Sequence, residues 1–246
     1  MKKIQAALLC LLAGVSGWVF AAESSDDLIK QNLQKVDSRI KVKSISSAPV
    51  AGMREVELNS GEVLYSDDKG EYFIIGQLYQ FSNESGFVNL TEEKAKGQRK
   101  DKVATISEED MVTFAPAGEV KATLNIFTDV DCPYCRKLHE EVPKLNAMGI
   151  RVNYLAFPRG GQGTKAYNTM VSIWCAGNAA SKREAMTDAK RGVPLDKSNC
   201  DNPVLQQFAL GQAVGVTGTP ALVLEDGTLV PGYMPAARLG KMLGVN

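Results

Sequence analysis

The chain has 246 residues, with 28 basic and 28 acidic side chains and a formal net charge of zero. That length holds two small domains or one large one. Balanced charge, with no basic stripe and no phosphate-cradling glycine loop, excludes the electrostatic signature of a nucleic-acid or anionic-membrane binder.

In chain order, residues 1–21 read as a secretory signal peptide. Lys2 and Lys3 form a positive start, Ile4 to Val15 an apolar core, and Val19-Phe20-Ala21 a cleavage site after Ala21. The apolar run is too short for a membrane span. Cleavage removes two lysines and no acid, so the net charge falls from 0 to −2. It also removes Cys10 and leaves Cys132, Cys135, Cys175 and Cys200. An even cysteine count in an exported chain suggests disulfides. Four cysteines allow three pairings. The close spacing of the first two favours Cys132–Cys135 with Cys175–Cys200, but spacing alone does not choose.

Residues 22–91 carry no cysteine and read as a helix followed by strands. Ser24 or Ser25 can cap the helix, Asp26 and Asp27 suit its positive end, and Ile29, Leu33 and Val36 share one face. Alternating segments follow near Ile40–Ile45, Met53–Leu58, Val63–Tyr65, Tyr72–Phe81 and Phe87–Leu90, separated by glycine-containing turns. This is the pattern of a small antiparallel sheet with a helix on one side, a marginal core at this size. An open strand edge on it would favour pairing with a second copy. Two glycosylation sequons, at Asn83 and Asn89, read as chance matches in an exported bacterial-type chain.

Residues 92–120 form the boundary. Eleven of the 19 residues from Glu92 to Asp110 are charged, which predicts a solvated, partly helical linker rather than part of a core. Residues 121–246 then predict a strand at Ala122–Thr128, a helix over Pro133–Met148 ended by Gly149, and a strand at Ile150–Phe157. Helices follow near 164–178, 181–190 and 203–214, then strands at 221–225 and 228–231 around Asp226-Gly227, and a helix from Pro235 to about Leu243. The order is β-α-β, a helical insert, then α-β-β-α.

The pair Cys132-Pro133-Tyr134-Cys135 follows a strand and opens a helix, with Pro133 where its missing N–H costs nothing. Unpaired N–H groups and the helix dipole there stabilise an anion, so Cys132 is expected as the reactive thiolate. Thiols in such motifs reach pKa values of roughly 3.5–7.5. Cys135, one turn on, is expected to be more buried and to act as the resolving thiol. Zinc falls short of ligands, since a structural site needs about four and the chain offers one histidine, His139, and no second cysteine pair. An inert bridge between Cys132 and Cys135 is the plainer alternative. Far along the chain, Gly218-Thr219-Pro220 precedes a strand. A cis Thr219–Pro220 bond is accessible there, although the ordinary trans form is favoured from sequence alone.

Phe127-Thr128-Asp129, the cysteine pair with Lys137-Leu138-His139-Glu140, and Tyr154-Leu155-Ala156-Phe157-Pro158-Arg159 go further together. So do Ile173-Trp174-Cys175-Ala176, Gly218-Thr219-Pro220-Ala221 and Leu229-Val230-Pro231-Gly232-Tyr233. With these motifs the chain resembles the periplasmic disulfide isomerases of the DsbC/DsbG family over essentially its whole mature length. The resemblance implies an α+β N-terminal dimerisation domain of cystatin-like type (22–91). A helical linker (92–120) would join it to an α/β thioredoxin-like domain with a helical insertion (121–246). It implies a V-shaped homodimer that holds misfolded, disulfide-containing exported proteins and has chaperone activity. Thr219 and Pro220 would form a cis-proline turn facing the active cysteines, contacting substrate together with Pro133 and Tyr134. Cys175–Cys200 would be a structural disulfide. A DsbD-type membrane reductase would keep Cys132 and Cys135 reduced, with no metal and no organic cofactor. The family's usual dipeptide between the cysteines is Gly-Tyr. Pro133 departs from it and leaves the redox poise open, so a disulfide-donating oxidase stands as one alternative and a chaperone-type binding protein as another.

Overall fold

The computed structural model describes residues 24–245, so the expected signal peptide lies outside the described residues. The chain begins with α1 (Ser25–Val36), started by the Ser24 hydroxyl, which accepts from the Asp27 N–H at 3.2 Å. An antiparallel meander follows: β1 (Val42–Ser47), β2 (Met53–Leu58), β3 (Val63–Asp67) and β4 (Phe73–Ile75), neighbours in that order. Ile29 and Leu33 bury the stripe of α1 against Val56, Leu58 and Leu64. Val36, expected on the same face, is 80% exposed, because it ends the helix beyond the edge of the sheet core.

The segment Tyr72–Phe81, expected as one strand, is two. The chain leaves the first sheet after Ile75, and β5 (Tyr79–Ser82) pairs with β6 (Gly86–Asn89) in a separate hairpin. Gly76 has no side chain to hold the pleat. Leu78 is then tied to the next helix, its N–H donating to Thr91 Oγ1 and its carbonyl accepting from Leu90 N–H, both at 2.8 Å. That helix, α2 (Leu90–Ala104), is capped by the Asn89 side chain, which accepts from Glu92 N–H.

The charged stretch Glu92–Asp110, most of which forms α2, is less solvated than its composition predicts. Arg99 and Val103 of α2 are buried, and β7 (Val112–Phe114) joins the second sheet, with Val112 in its core. A few apolar residues among the charges are enough to dock one face. The Arg99 guanidinium donates to the carbonyls of Val214 and Gly227 at 2.9 and 2.6 Å.

The rest of the chain runs β8 (Ala122–Thr128), α3 (Pro133–Glu140), α4 (Val142–Ala147), β9 (Ile150–Ala156), α5 (Lys165–Trp174) and α6 (Ala179–Arg191). It continues with α7 (Val204–Ala213), β10 (Ala221–Leu224), β11 (Leu229–Pro231) and α8 (Ala236–Met242). The sheet order is β11-β10-β8-β9-β7; β8 and β9 are parallel and the other neighbours antiparallel. The helix expected over Pro133–Met148 breaks at Glu141. Pro143 has no N–H to give, and its ring crowds the carbonyl four residues earlier. Gly149, at φ +85°, then takes the left-handed position that closes α4.

Alternation along the strands fills both faces of this sheet. Leu124, Ile126, Val152, Tyr154 and Leu222 join the large core under α3–α6 and α8, while Phe127, Leu155, Ala221 and Val223 meet Val103, Phe157, Val214 and Val216 opposite. Gly227 in the β10–β11 turn lies tight against α2; a β-carbon there would sit 2.0 Å from the Lys96 carbonyl oxygen. The architecture is the expected one, an α+β unit joined through a helix to an α/β unit with a helical insertion between β9 and β10.

Candidate active site

Strand β8 stops at Thr128, and Asp129-Val130-Asp131 turns the chain into α3. The Asp129 carboxylate shapes the turn, accepting from Asp131 N–H at 2.7 Å and from Arg159 N–H and Nε at 2.9 and 3.1 Å. Cys132 is the N-cap of α3 and Pro133 occupies its first turn. Tyr134 is 62% exposed. Cys132 and Cys135 are both unbridged and buried, and Cys135 is the more deeply placed.

The Thr219–Pro220 bond is cis, which departs from the ordinary trans form that sequence alone favours. The turn faces α3, with the Cys132 thiol donating to the Thr219 carbonyl at 3.2 Å. The fold thus brings together Cys132, Pro133, Tyr134, Cys135, Thr219 and Pro220 from two distant parts of the chain. Cys175 and Cys200 stand apart as a disulfide with Cα atoms 5.7 Å apart, fastening the end of α5 to the segment that leads into α7.

The two thiols differ electrostatically. Burial opposes ionisation of Cys132, but hydrogen bonds from Thr219 and Cys135 and the charge of Arg159 outweigh it and hold this thiol below its ordinary value. For Cys135, burial wins and pushes the thiol up, although Lys190, Asp129 and Thr128 partly offset it. A nucleophile beside a less acidic partner is the arrangement thiol–disulfide exchange needs.

His139, on α3, is no ligand. Thr187 donates its hydroxyl proton to the Arg183 carbonyl, so His139 Nε2–H donates to Thr187 Oγ1 at 3.1 Å and Nδ1 accepts from the Tyr154 hydroxyl at 3.0 Å. Burial, with the charges of Lys190 and Arg191, lowers its pKa to about 4, and the ring stays neutral. Among the described residues no group of three or more His, Cys, Asp or Glu could hold a metal ion. No described helix is long and apolar enough to cross a membrane.

Sequence reasoning missed Lys190. It is buried on α6, with Nζ donating to Thr128 Oγ1 at 2.6 Å and to the Asp129 carbonyl at 3.0 Å. A signal was present, because Met186, Ala189 and Lys190 fall at i, i+3 and i+4 and place the lysine on the buried face.

The family model described as the disulfide bond isomerase protein N-terminal domain matches residues 20–92, and that of the thioredoxin-like domain matches residues 107–244. The thiol:disulfide interchange protein DsbC of Escherichia coli (strain K12) is 41% identical over 236 residues, covering 96% of this chain and 93% of that protein. DsbC of Haemophilus influenzae is 34% identical over 244 residues, covering 99% and 98%. The crystal structure of a disulfide interchange protein from Neisseria gonorrhoeae aligns with a TM-score of 0.50 at 30% identity, covering 56% of this chain and 96% of that one.

Proposed function

We propose that this chain, a thiol–disulfide oxidoreductase that belongs to the DsbC family of thiol:disulfide interchange proteins, works as a periplasmic disulfide isomerase on exported proteins with wrong disulfides. The observation that carries the reading is Cys132 at the helix start, held below the ordinary thiol value and facing the Thr219–Pro220 turn. The Cys132 thiolate attacks a substrate disulfide, one substrate sulfur leaves as thiolate, and a mixed disulfide forms. A different substrate thiolate then attacks the sulfur bonded to Cys132. The bond is rearranged and Cys132 is returned reduced. Cys135 resolves stalled complexes by forming the Cys132–Cys135 bond and releasing reduced substrate. Two electrons from a DsbD-type membrane reductase then reset the pair. Thr219 and Pro220, with Pro133 and Tyr134, contact the bound chain.

We divide the mature protein into an N-terminal dimerisation domain (22–91), a linker (92–120) and a catalytic domain (121–246). Homodimerisation through the first is supported by the apolar side chains around edge strand β4, where Ile74, Ile75 and Tyr72 are exposed. The space between two such copies would hold unfolded chains, giving chaperone activity that survives loss of both active cysteines.

The test is refolding of a protein with scrambled disulfides. Cys132→Ser should lose roughly a thousandfold or more in shuffling rate; retained activity would refute the assignment. Pro133 favours one second reading, a disulfide-donating oxidase. Alkylation of freshly quenched cells separates the two, since an isomerase keeps Cys132 and Cys135 mostly reduced and an oxidase mostly oxidised.

A further inference from the structure

We propose that Lys190 is the proton acceptor for Cys135 when that thiol resolves a mixed disulfide, with the Thr128 hydroxyl as the bridge between them. Cys135 is fully buried, so its proton has no direct route to water. Thr128 Oγ1 lies 2.6 Å from Lys190 Nζ, and the Thr128 side chain and the Lys190 charge both act to lower the Cys135 thiol against its burial. The hydrogen-bond partners of Nζ are uncharged oxygens, the Thr128 hydroxyl and the Asp129 carbonyl. The Asp129 carboxylate is engaged by Arg159 instead. A lysine buried for structure alone is expected to pair with a carboxylate.

The far side of Lys190 opens outward. With Arg136, His139, Glu140, Thr187 and Arg191 it lines a cavity of about 500 Å³ through which a proton can leave. Burial lowers the lysine to about 8, within reach of neutral pH. The groups that act on its charge are Cys132, Cys135 and Arg136 at α3 and Asp129 after β8. Lys190 and Arg191 in turn act on His139, and Lys190 also faces the Tyr154 ring of β9 at 5.6 Å.

Cys135 gives its proton to Thr128 Oγ1 as that hydroxyl passes its own to neutral Nζ. The Cys135 thiolate attacks Cys132 Sγ, the Cys132–Cys135 bond forms, and the bond from Cys132 to the substrate sulfur breaks. The substrate sulfur leaves as thiolate, and Lys190 returns its proton to water.

This rests on Cys132 attacking and Cys135 resolving, and one experiment reads both steps separately. Reduced full-length protein is mixed with 5,5′-dithiobis(2-nitrobenzoate). Attack by Cys132 releases the first thionitrobenzoate and resolution by Cys135 releases the second. Lys190→Gln keeps a hydrogen-bond donor without a basic amine. It should leave the first release within about twofold, slow the second at least about tenfold at neutral pH, and move its pH inflexion upward. Lys190→Arg keeps the charge but cannot accept a proton, and it should slow the second release as well. Lys190→Met serves as a second neutral variant and should match Lys190→Gln. An unchanged second release in Lys190→Gln, equal slowing of both releases, or full rescue by Lys190→Arg would overturn the proposal. A first release that persists in Cys132→Ser, or a second that persists in Cys135→Ser, would instead sink the thiol assignment beneath it.

Discussion

The two halves of this molecule are stabilised differently. Around β1–β4 the buried apolar cluster is Ile29, Leu33, Val56, Leu58 and Leu64, and much of the rest is held by charge. Lys43, Lys94 and Gln98 converge on Glu57, which is buried. Burial opposes its ionisation, but these partners hold its carboxyl below the ordinary value. Around β7–β11, two apolar layers cover both faces of the sheet and a disulfide fastens the insertion. A thin core with exposed apolar strands suits a surface completed by a partner, whereas a thick closed core suits a site that must hold two sulfurs in fixed geometry.

Removing the disulfide should give the largest break in this contrast. Cys175→Ala with Cys200→Ala frees a 25-residue separation and should cost the catalytic half about 3–4 kcal/mol, read by denaturant unfolding. The β1–β4 half should melt unchanged; if both halves lose stability equally, they are not independent in this sense.

Acid sensitivity above the ordinary carboxylate range should also belong to the catalytic half, which holds the chain's only histidine. His139 has a folded value of about 4 against 6.5 for an ordinary histidine, so between those values the unfolded chain binds more protons. The stability this contributes is complete above pH 6.5 and is lost as pH falls through 4, on the order of 3 kcal/mol. His139→Gln should flatten that slope. An unchanged slope between pH 7 and pH 4.5 would mean that other groups carry the acid response.

The smallest effect on stability should come from Ile75→Lys, because Ile75 is 88% exposed. Unfolding of the single chain should shift by no more than about 0.5 kcal/mol. The proposed dimer should nevertheless separate, read by sedimentation. A dimer that persists would move the interface away from this edge.

What the sequence made legible follows from local chemistry. The Ser24 cap, the strand Met53–Leu58 and the placement of Cys132 on the first turn of a helix depend on neighbours within a few residues, and patterning captures them. The division of Tyr72–Phe81 between two sheets depends on which of two adjacent hairpins each half joins, β3–β4 or β5–β6, and alternation reads the same through both, with Gly76 as the local sign. Pro143 did mark the break in the α3–α4 segment, but apolar periodicity on both sides masked it. The buried Arg99 and Lys190 show the limit of reading charge as solvation. Each adjoins an exposed charge of the same kind, Lys100 or Arg191, and only its position on the helix face separates it from that neighbour.

The clamp on α2 has a mechanical consequence. Toward the catalytic half, Arg99 and Lys102 grip the neutral carbonyls of Val214, Gly227 and Ala213 and Lys96 pairs with the half-exposed Asp226, while toward the other half Lys94 and Gln98 reach the more buried carboxylates of Glu55 and Glu57. The helix is therefore a tie-rod with two unlike bearings. Dissolved ions screen charge on charge but do little to a buried guanidinium on a peptide oxygen. Ionic strength therefore loosens only the exposed Lys96–Asp226 pair and leaves the buried grips at both ends fastened, so the arm should keep its set in brine as in dilute buffer.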